Sequence, residues 1–177
     1  MGLMARGLPE HVARGILANM MVESRLDPGI NEIAPTVPGS RGGYGLNQWT
    51  GPRRRQYEAF AEQRGSSLDD LDTQLDFTLW ELQNTEKSAA GNLMAAPDAE
   101  AAARIYSDQF LRPGVPNMSA RLNALGSIGP AGGPVPEAPA QNALGGAKPV
   151  NKLAEFQASA LDPAAFMSRH RYTFQGI

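Results

Sequence analysis

The stretch MVESRLDPG, Met21–Gly29, ends an apolar run with a carboxylic acid, and the direction of that acid decides how the fold is read. From Pro9 to Asp27 apolar residues return at three- and four-residue spacing, the period of an α-helix with one buried stripe. At about 100° per residue, Glu23 projects about 20° from Val12 and about 20° from Ile16, while Glu10, Arg14 and Arg25 gather on the opposite side. Glu23 therefore points inward. A bare carboxylate there is costly, so it must be paired, neutralised or set in the wall of a cleft. Asp27 and Pro28 mark the helix end, where the negative pole of the macrodipole adds to burial in disfavouring the charged form of the acid. A carboxyl still protonated near neutral pH suits protonation of a glycosidic leaving oxygen. On position alone a plain structural acid, bonded to backbone N–H groups or to an arginine, is an equal reading.

The segment that follows shifts this balance. GINEIAPTVPGSRGGYGLNQWTG, Gly29–Gly51, is long for a connection within a helical domain, and such loops are commonly functional or disordered. Its end, GGYGLNQWTG, sets Tyr44, Gln48 and Trp49 among glycines that allow close backbone approach. Sugars bind to aromatic faces and amide groups, so Tyr44 or Trp49 could stack on a ring while Asn47 and Gln48 bond hydroxyl or N-acetyl groups. Trp49 could equally be a core plug. The loop is no phosphate cradle, because it lacks the terminal Lys and the preceding strand.

Beyond the loop the punctuation is helical. Pro9, Pro52, Pro97 and Pro116 each precede a helix-favouring run, and helices are expected near Pro9–Asp27, Pro52–Arg64, Leu68–Asn84, Thr85–Ala96, Asp98–Leu111 and Pro116–Leu125. Ser67 with Asp70 forms a candidate cap, and Gly65 and Gly126 suit left-handed helix ends. Phe77, Leu79 and Trp80 read as core, with Asp76 and Glu81 as ion-pair partners for Arg53–Arg55. Those three arginines read first as a solvated helix face and second as an anion site. From Gly126 to Pro149 the chain holds 6 Gly, 5 Pro and 5 Ala in 24 residues, too little apolar bulk to fold. The expected organisation is thus a mainly α domain over 8–125, a linker over 126–149 and a short helical tail over 150–177.

Composition narrows the chemistry. The 177 residues contain no Cys and two His, which removes thiolate chemistry, His-rich metal motifs and, in practice, a Ser-His-Asp triad. A net charge of -2 argues against nucleic acid as partner. No apolar run has the length of a membrane span, and the opening MGLMARGLPE lacks the apolar block of a secretory signal.

Glu23-Ser24 followed by Gly43-Tyr44-Gly45-Leu46-Asn47-Gln48 resembles the lysozyme-like superfamily, which includes goose-type lysozymes and soluble lytic transglycosylases. The fuller set YGLNQWTGPRR, YEAFAEQRG, LDTQLDFTLWEL and FLRPG resembles more closely the phage tail lysozyme family, over about Leu8 to Pro116. The resemblance implies a helical lysozyme-like fold acting on bacterial peptidoglycan, with Glu23 as the catalytic acid and glycan contacts from Ser24, Tyr44, Gly45, Asn47 and Gln48. Tyr106, just before FLRPG, is a further contact candidate. Asp27 and Glu32 are the candidates for a second carboxylate, and with neither in place single-acid lytic transglycosylation is favoured over hydrolysis. Neither metal nor organic cofactor is expected. The phage resemblance and the Gly/Pro-rich tether suggest a virion-associated enzyme that acts in the host periplasm and meets other tail proteins through the linker and tail. The rival readings are a non-catalytic wall-binding or virion structural module, and a docking scaffold that works through the tail.

Overall fold

In the computed structural model, residues 2–35 and 37–130 are described. The expected linker and tail lie outside them, apart from Gly126–Pro130. Six α-helices form the domain: α1 (Glu10–Ser24), α2 (Gly51–Arg64), α3 (Leu71–Asn84), α4 (Lys87–Met94), α5 (Ala99–Ile105) and α6 (Met118–Ser127). A 3-10 turn, Met4–Arg6, precedes α1, and α5 runs on as a π-helical segment, Tyr106–Leu111. Among the described residues the only β pairing consists of isolated bridges in the loop before α2, Asn31 with Tyr44 and Tyr44 with Trp49.

Helix α1 is the axis of the main core. Val12, Ile16 and Met20 are fully buried on it, as the periodicity requires, and so is Ala18 on the other side. Its contact with α5 is close because Gly15 has no side chain: a Cβ there would lie 2.6 Å from the Ala103 backbone nitrogen and 2.8 Å from Ala102 Cβ. A residue of any other type would drive the two helices apart. Helix α6 packs on the same axis, so α1 is held between α5 and α6. A second, smaller cluster of Trp49, Tyr57, Ala61 and Phe77 joins α2 and α3 to the loop.

Several boundaries differ from the expected ones. Helix α1 stops at Ser24 rather than Asp27, because Arg25 and Leu26 both take left-handed φ values, 53° and 60°. Leu26 thereby turns back into the core, 4% exposed, and its burial holds a backbone conformation that non-glycine residues rarely adopt. Helix α3 is capped by Asp70 alone, whose carboxylate accepts from Thr73 N at 2.7 Å, and Ser67 bonds Asp69 instead. Gly65 is the left-handed cap of α2 as expected, φ 62°. Gly126 is not a cap: it lies within α6, exposed, with an ordinary helical backbone. The packed core also reaches past the expected 8–125 limits, taking in Leu3 at one end and Ile128 at the other, both 1% exposed. Two arginines secure these ends. Arg6 bonds Asp72 and Asp76 on α3, and Arg14 donates to the Ile128 carbonyl at 2.9 Å. No helix among the described residues is long and apolar enough to cross a membrane.

Candidate active site

Glu23 lies in the last turn of α1 and is partly exposed, its side chain at 17%. Its Oε1 accepts a hydrogen bond of 2.7 Å from Arg121 Nη2 on α6, 98 residues further along the chain. Oε2 has no partner among the described residues. The arginine is itself sunk in the core, 2% exposed at the side chain, and its other nitrogens are engaged too: Nη1 donates to Asn19 Oδ1 at 2.9 Å and Nε to the Pro116 carbonyl at 2.7 Å. Asn19, fully buried one turn before Glu23, donates to the carbonyls of Gly15 and Ala103. The acid is thus paired, the first of the three alternatives for an inward carboxylate, and the cation was absent from the burial argument made on α1 alone.

The loop Gly42–Gly51 is closed on itself by reciprocal backbone bonds between Tyr44 and Trp49, at 3.1 and 3.0 Å. Gly45 has φ 68°, and a Cβ on it would lie 2.5 Å from Gln74 Oε1, so this position requires glycine twice over. Gln74, fully buried on α3, ties three segments together: its Oε1 accepts from Leu46 N, and its Nε2 donates to the carbonyls of Pro28 and Leu68. Gln48 is left-handed as well, φ 49°, with its amide nitrogen donating to the Gly45 carbonyl at 3.0 Å. Tyr44 is half-buried beside Tyr57, with the Arg54 guanidinium 5.1 Å from its ring centroid. Burial and then the Asp69 charge raise its phenol pKa. Of the expected glycan-contact residues, Tyr44 and Gln48 keep open surface.

The others are interior in this structure. Ser24 is fully buried, and its hydroxyl donates to the Met20 carbonyl one turn back at 2.8 Å. Gly45 acts through its backbone shape. Asn47 is 4% exposed and spends both amide atoms inside, donating to Thr78 Oγ1 at 2.8 Å and accepting from the Tyr106 hydroxyl at 2.9 Å. Tyr106 is fully buried, and its pKa is held well above the usual phenol value by burial, with the Glu81 charge next and a smaller part from Glu23. Its hydroxyl is bonded to the loop through Asn47. Trp49 is a core plug, 1% exposed, stacked 4.8 Å from Tyr57.

The second-carboxylate candidates both have local backbone work. Asp27 Oδ1 accepts from Gly29 N at 3.0 Å, and Glu32 Oε2 accepts from Gly43 N at 2.9 Å, latching the start of the loop. Glu81 is fully buried, accepts from Trp49 Nε1 at 2.8 Å and pairs with Arg53 at 2.7 Å. Asp76 pairs with Arg6 and Arg64, not with Arg53–Arg55. The three adjacent arginines divide accordingly: Arg53 serves Glu81 and the Phe110 carbonyl, Arg54 serves Glu58 and the carbonyls of Arg41 and Gly42, and Arg55 is exposed. One shallow surface cleft is lined by Arg41, Arg54 and Arg55, and another by Arg64, Trp80 and Gln83; Glu23 lines neither. No cluster of His, Asp and Glu able to hold a metal occurs among the described residues.

Sequence reasoning missed Arg121 and Gln74; for Glu81 it gave the ion pair that Arg53 forms, but not the hydrogen bond from Trp49. For Arg121 a signal was present: it lies four residues before Leu125, on the buried face of α6, so the wheel argument that picked out Glu23 also picks out an inward cation there. Gln74 carries no such mark, because a polar residue on a helix that is buried nearly all round reads from sequence as an exposed one.

A partly exposed acid closing a buried helix, with a side-chain-buttressed glycine loop after it, defines a lysozyme-like helical domain. The chain belongs to the phage tail lysozyme family, whose model matches residues 1–124. It is also 32% identical over 126 residues to Morphogenesis protein 1 of Bacillus phage B103. That match takes in 67% of this chain and 34% of the relative, so the chain spans about a third of the relative's length.

Proposed function

We propose that this chain is a virion-associated enzyme that degrades bacterial peptidoglycan, cleaving the β-1,4 linkage between MurNAc and GlcNAc with Glu23 as general acid. The observation that carries the reading is the asymmetry of the Glu23 carboxyl, with Oε1 fixed by Arg121 and Oε2 unpartnered on a partly exposed side chain. In the acid form the proton sits on Oε2 and passes to the glycosidic oxygen as the anomeric C–O bond breaks, the bonding pair leaving with that oxygen. Tyr44 and Gln48, on the open side of the loop, would orient the glycan.

The bond must then be closed by a nucleophile. With Asp27 and Glu32 each holding a backbone N–H, a single-acid route is favoured: the muramic 6-hydroxyl attacks the anomeric carbon and returns its proton to Glu23, leaving a 1,6-anhydro end. The site of action would be the host periplasm, with other tail proteins met through residues 126–177. The relative's name, Morphogenesis protein, favours one second reading, a wall-binding or structural module without turnover. Digestion of purified peptidoglycan by the wild type and by Glu23→Gln, followed by mass spectrometry, tests both. Muropeptides one water lighter than hydrolysed ones are expected from the wild type, with at least a 10²-fold loss in the variant. Reducing muramic ends would replace transglycosylation with hydrolysis, and no digestion by wild-type protein would leave the structural module.

A further inference from the structure

Resting on that reading of Glu23, we infer that Arg121 is the positioning residue of the acid, fixing Oε1 so that Oε2 alone is presented to the glycosidic oxygen. A glutamate in the last turn of a helix has free rotation about its side-chain bonds, and the turn after it, through the left-handed Arg25 and Leu26, gives it no further backbone support. What restrains it comes from α6. The guanidinium is a planar fork whose orientation is set at two points away from the acid, by Asn19 Oδ1 and the Pro116 carbonyl, so its third direction is decided before Glu23 is considered. Asn19 is in turn fixed by the carbonyls of Gly15 and Ala103, at 2.8 and 3.0 Å. The acid is therefore held to the same α1–α5–α6 contact that forms the core, through a chain of buried hydrogen bonds with Arg121 at its end.

The same geometry has a chemical consequence. When the proton leaves Oε2, negative charge appears on a carboxylate already bonded to a cation, so the charge that develops during leaving-group protonation meets a prepared partner. Asn19 takes part only through Arg121. A lysine could supply the charge but not the fork, and could not reach Glu23, Asn19 and Pro116 with fixed angles.

The test compares Arg121→Gln, Arg121→Lys, Glu23→Gln and the double variant Glu23→Gln/Arg121→Gln on soluble glycan strands from purified peptidoglycan, with thermal unfolding run on each. Arg121→Gln should lower kcat on the order of 10- to 100-fold while KM changes by less than about twofold, the pattern of a misplaced reacting group. Arg121→Lys should recover part of kcat. The decisive reading is the double variant: with no acid left to position, Arg121→Gln should subtract nothing further from the residual rate of Glu23→Gln. If Arg121→Gln does not fold, the lysine variant carries the test, with kcat reduced and KM kept. A wild-type kcat in both Arg121 variants, or an equal further loss in the Glu23→Gln background, would overturn the assignment and leave Arg121 as a core ion pair. Full activity in Glu23→Gln, by contrast, overturns the reading of the acid beneath it.

Discussion

The two halves of the site are held by different kinds of force. On the acid side α1, α5 and α6 meet through small and apolar side chains, and a single polar chain, Gly15 and Ala103 carbonyls to Asn19 to Arg121 to Glu23, threads that contact. On the loop side the backbone is irregular, and side chains of α2 and α3 hold it: Gln74 on Leu46, Thr78 on Asn47, Glu81 on Trp49, Arg54 on Gly42. Close packing places a residue on a helix because the helix is rigid. A loop has no ladder of its own, so each of its polar groups needs a partner from elsewhere, and an unsatisfied one is expensive. The acid side should therefore fail by steric intrusion, and the loop side by loss of a polar partner.

The largest effect is expected on the loop side. Glu81→Ala strips the partner from Arg53 and from Trp49 Nε1 at a fully buried position, and loss of one member of a buried ion pair costs about 3–5 kcal/mol. Chemical denaturation should show a loss of this size. A loss below about 1 kcal/mol would mean that Trp49 is held by its aromatic neighbours alone.

Next comes the acid side. Gly15→Val places methyl groups where even a Cβ would lie 2.6 Å from Ala103 N, an overpacking that costs typically about 1–3 kcal/mol. Because α1 carries Glu23, digestion of peptidoglycan should fall with it. An unchanged melting temperature would break the comparison, since the α1–α5 contact would then be adjustable.

A smaller effect, confined to activity, separates the two open loop residues from the arginines. Tyr44→Ala and Gln48→Ala should each slow digestion by about tenfold through poorer orientation of the glycan, whereas exposed Arg55→Ala should alter the rate little at physiological salt. Arg53 and Arg54 do not belong in that comparison, because both bond the protein's own carboxylates and carbonyls. Equal losses at Arg55 and Tyr44 would move the glycan path onto the start of α2.

The smallest effect concerns surface charge. Glu86 has its pKa lowered chiefly by the hydrogen bond from Arg112, and Glu58 chiefly by that from Arg41. A carboxyl whose folded pKa lies below its unfolded value, about 4.3 for Glu, adds stability that is complete above the unfolded value and is lost as pH falls through the folded one. Melting temperatures should therefore decline below about pH 4.3, and Glu86→Gln should make that decline slightly shallower. An identical pH dependence in the variant would show that the Arg112 pair contributes nothing.

What could be read from the sequence was whatever depends on spacing within one element. The period of Pro9–Asp27 gives a helix with Glu23 on its inner face, the proline and glycine punctuation gives six helices, and the glycines of GGYGLNQWTG give a close backbone approach. Each follows from backbone geometry and the hydrophobic stripe, which act over a few residues. Length of chain did not hide the fold; it hid the partners. That Glu23 is paired, and by a residue 98 positions away, that Asn47 and Tyr106 bond each other rather than face outward, that Gln74 joins three segments, and that Leu3 and Ile128 belong to the core, were all decided by tertiary structure. The physical reason is that a buried polar group can be satisfied by any element that packs against it, and which element does so is fixed only when the helices have come together.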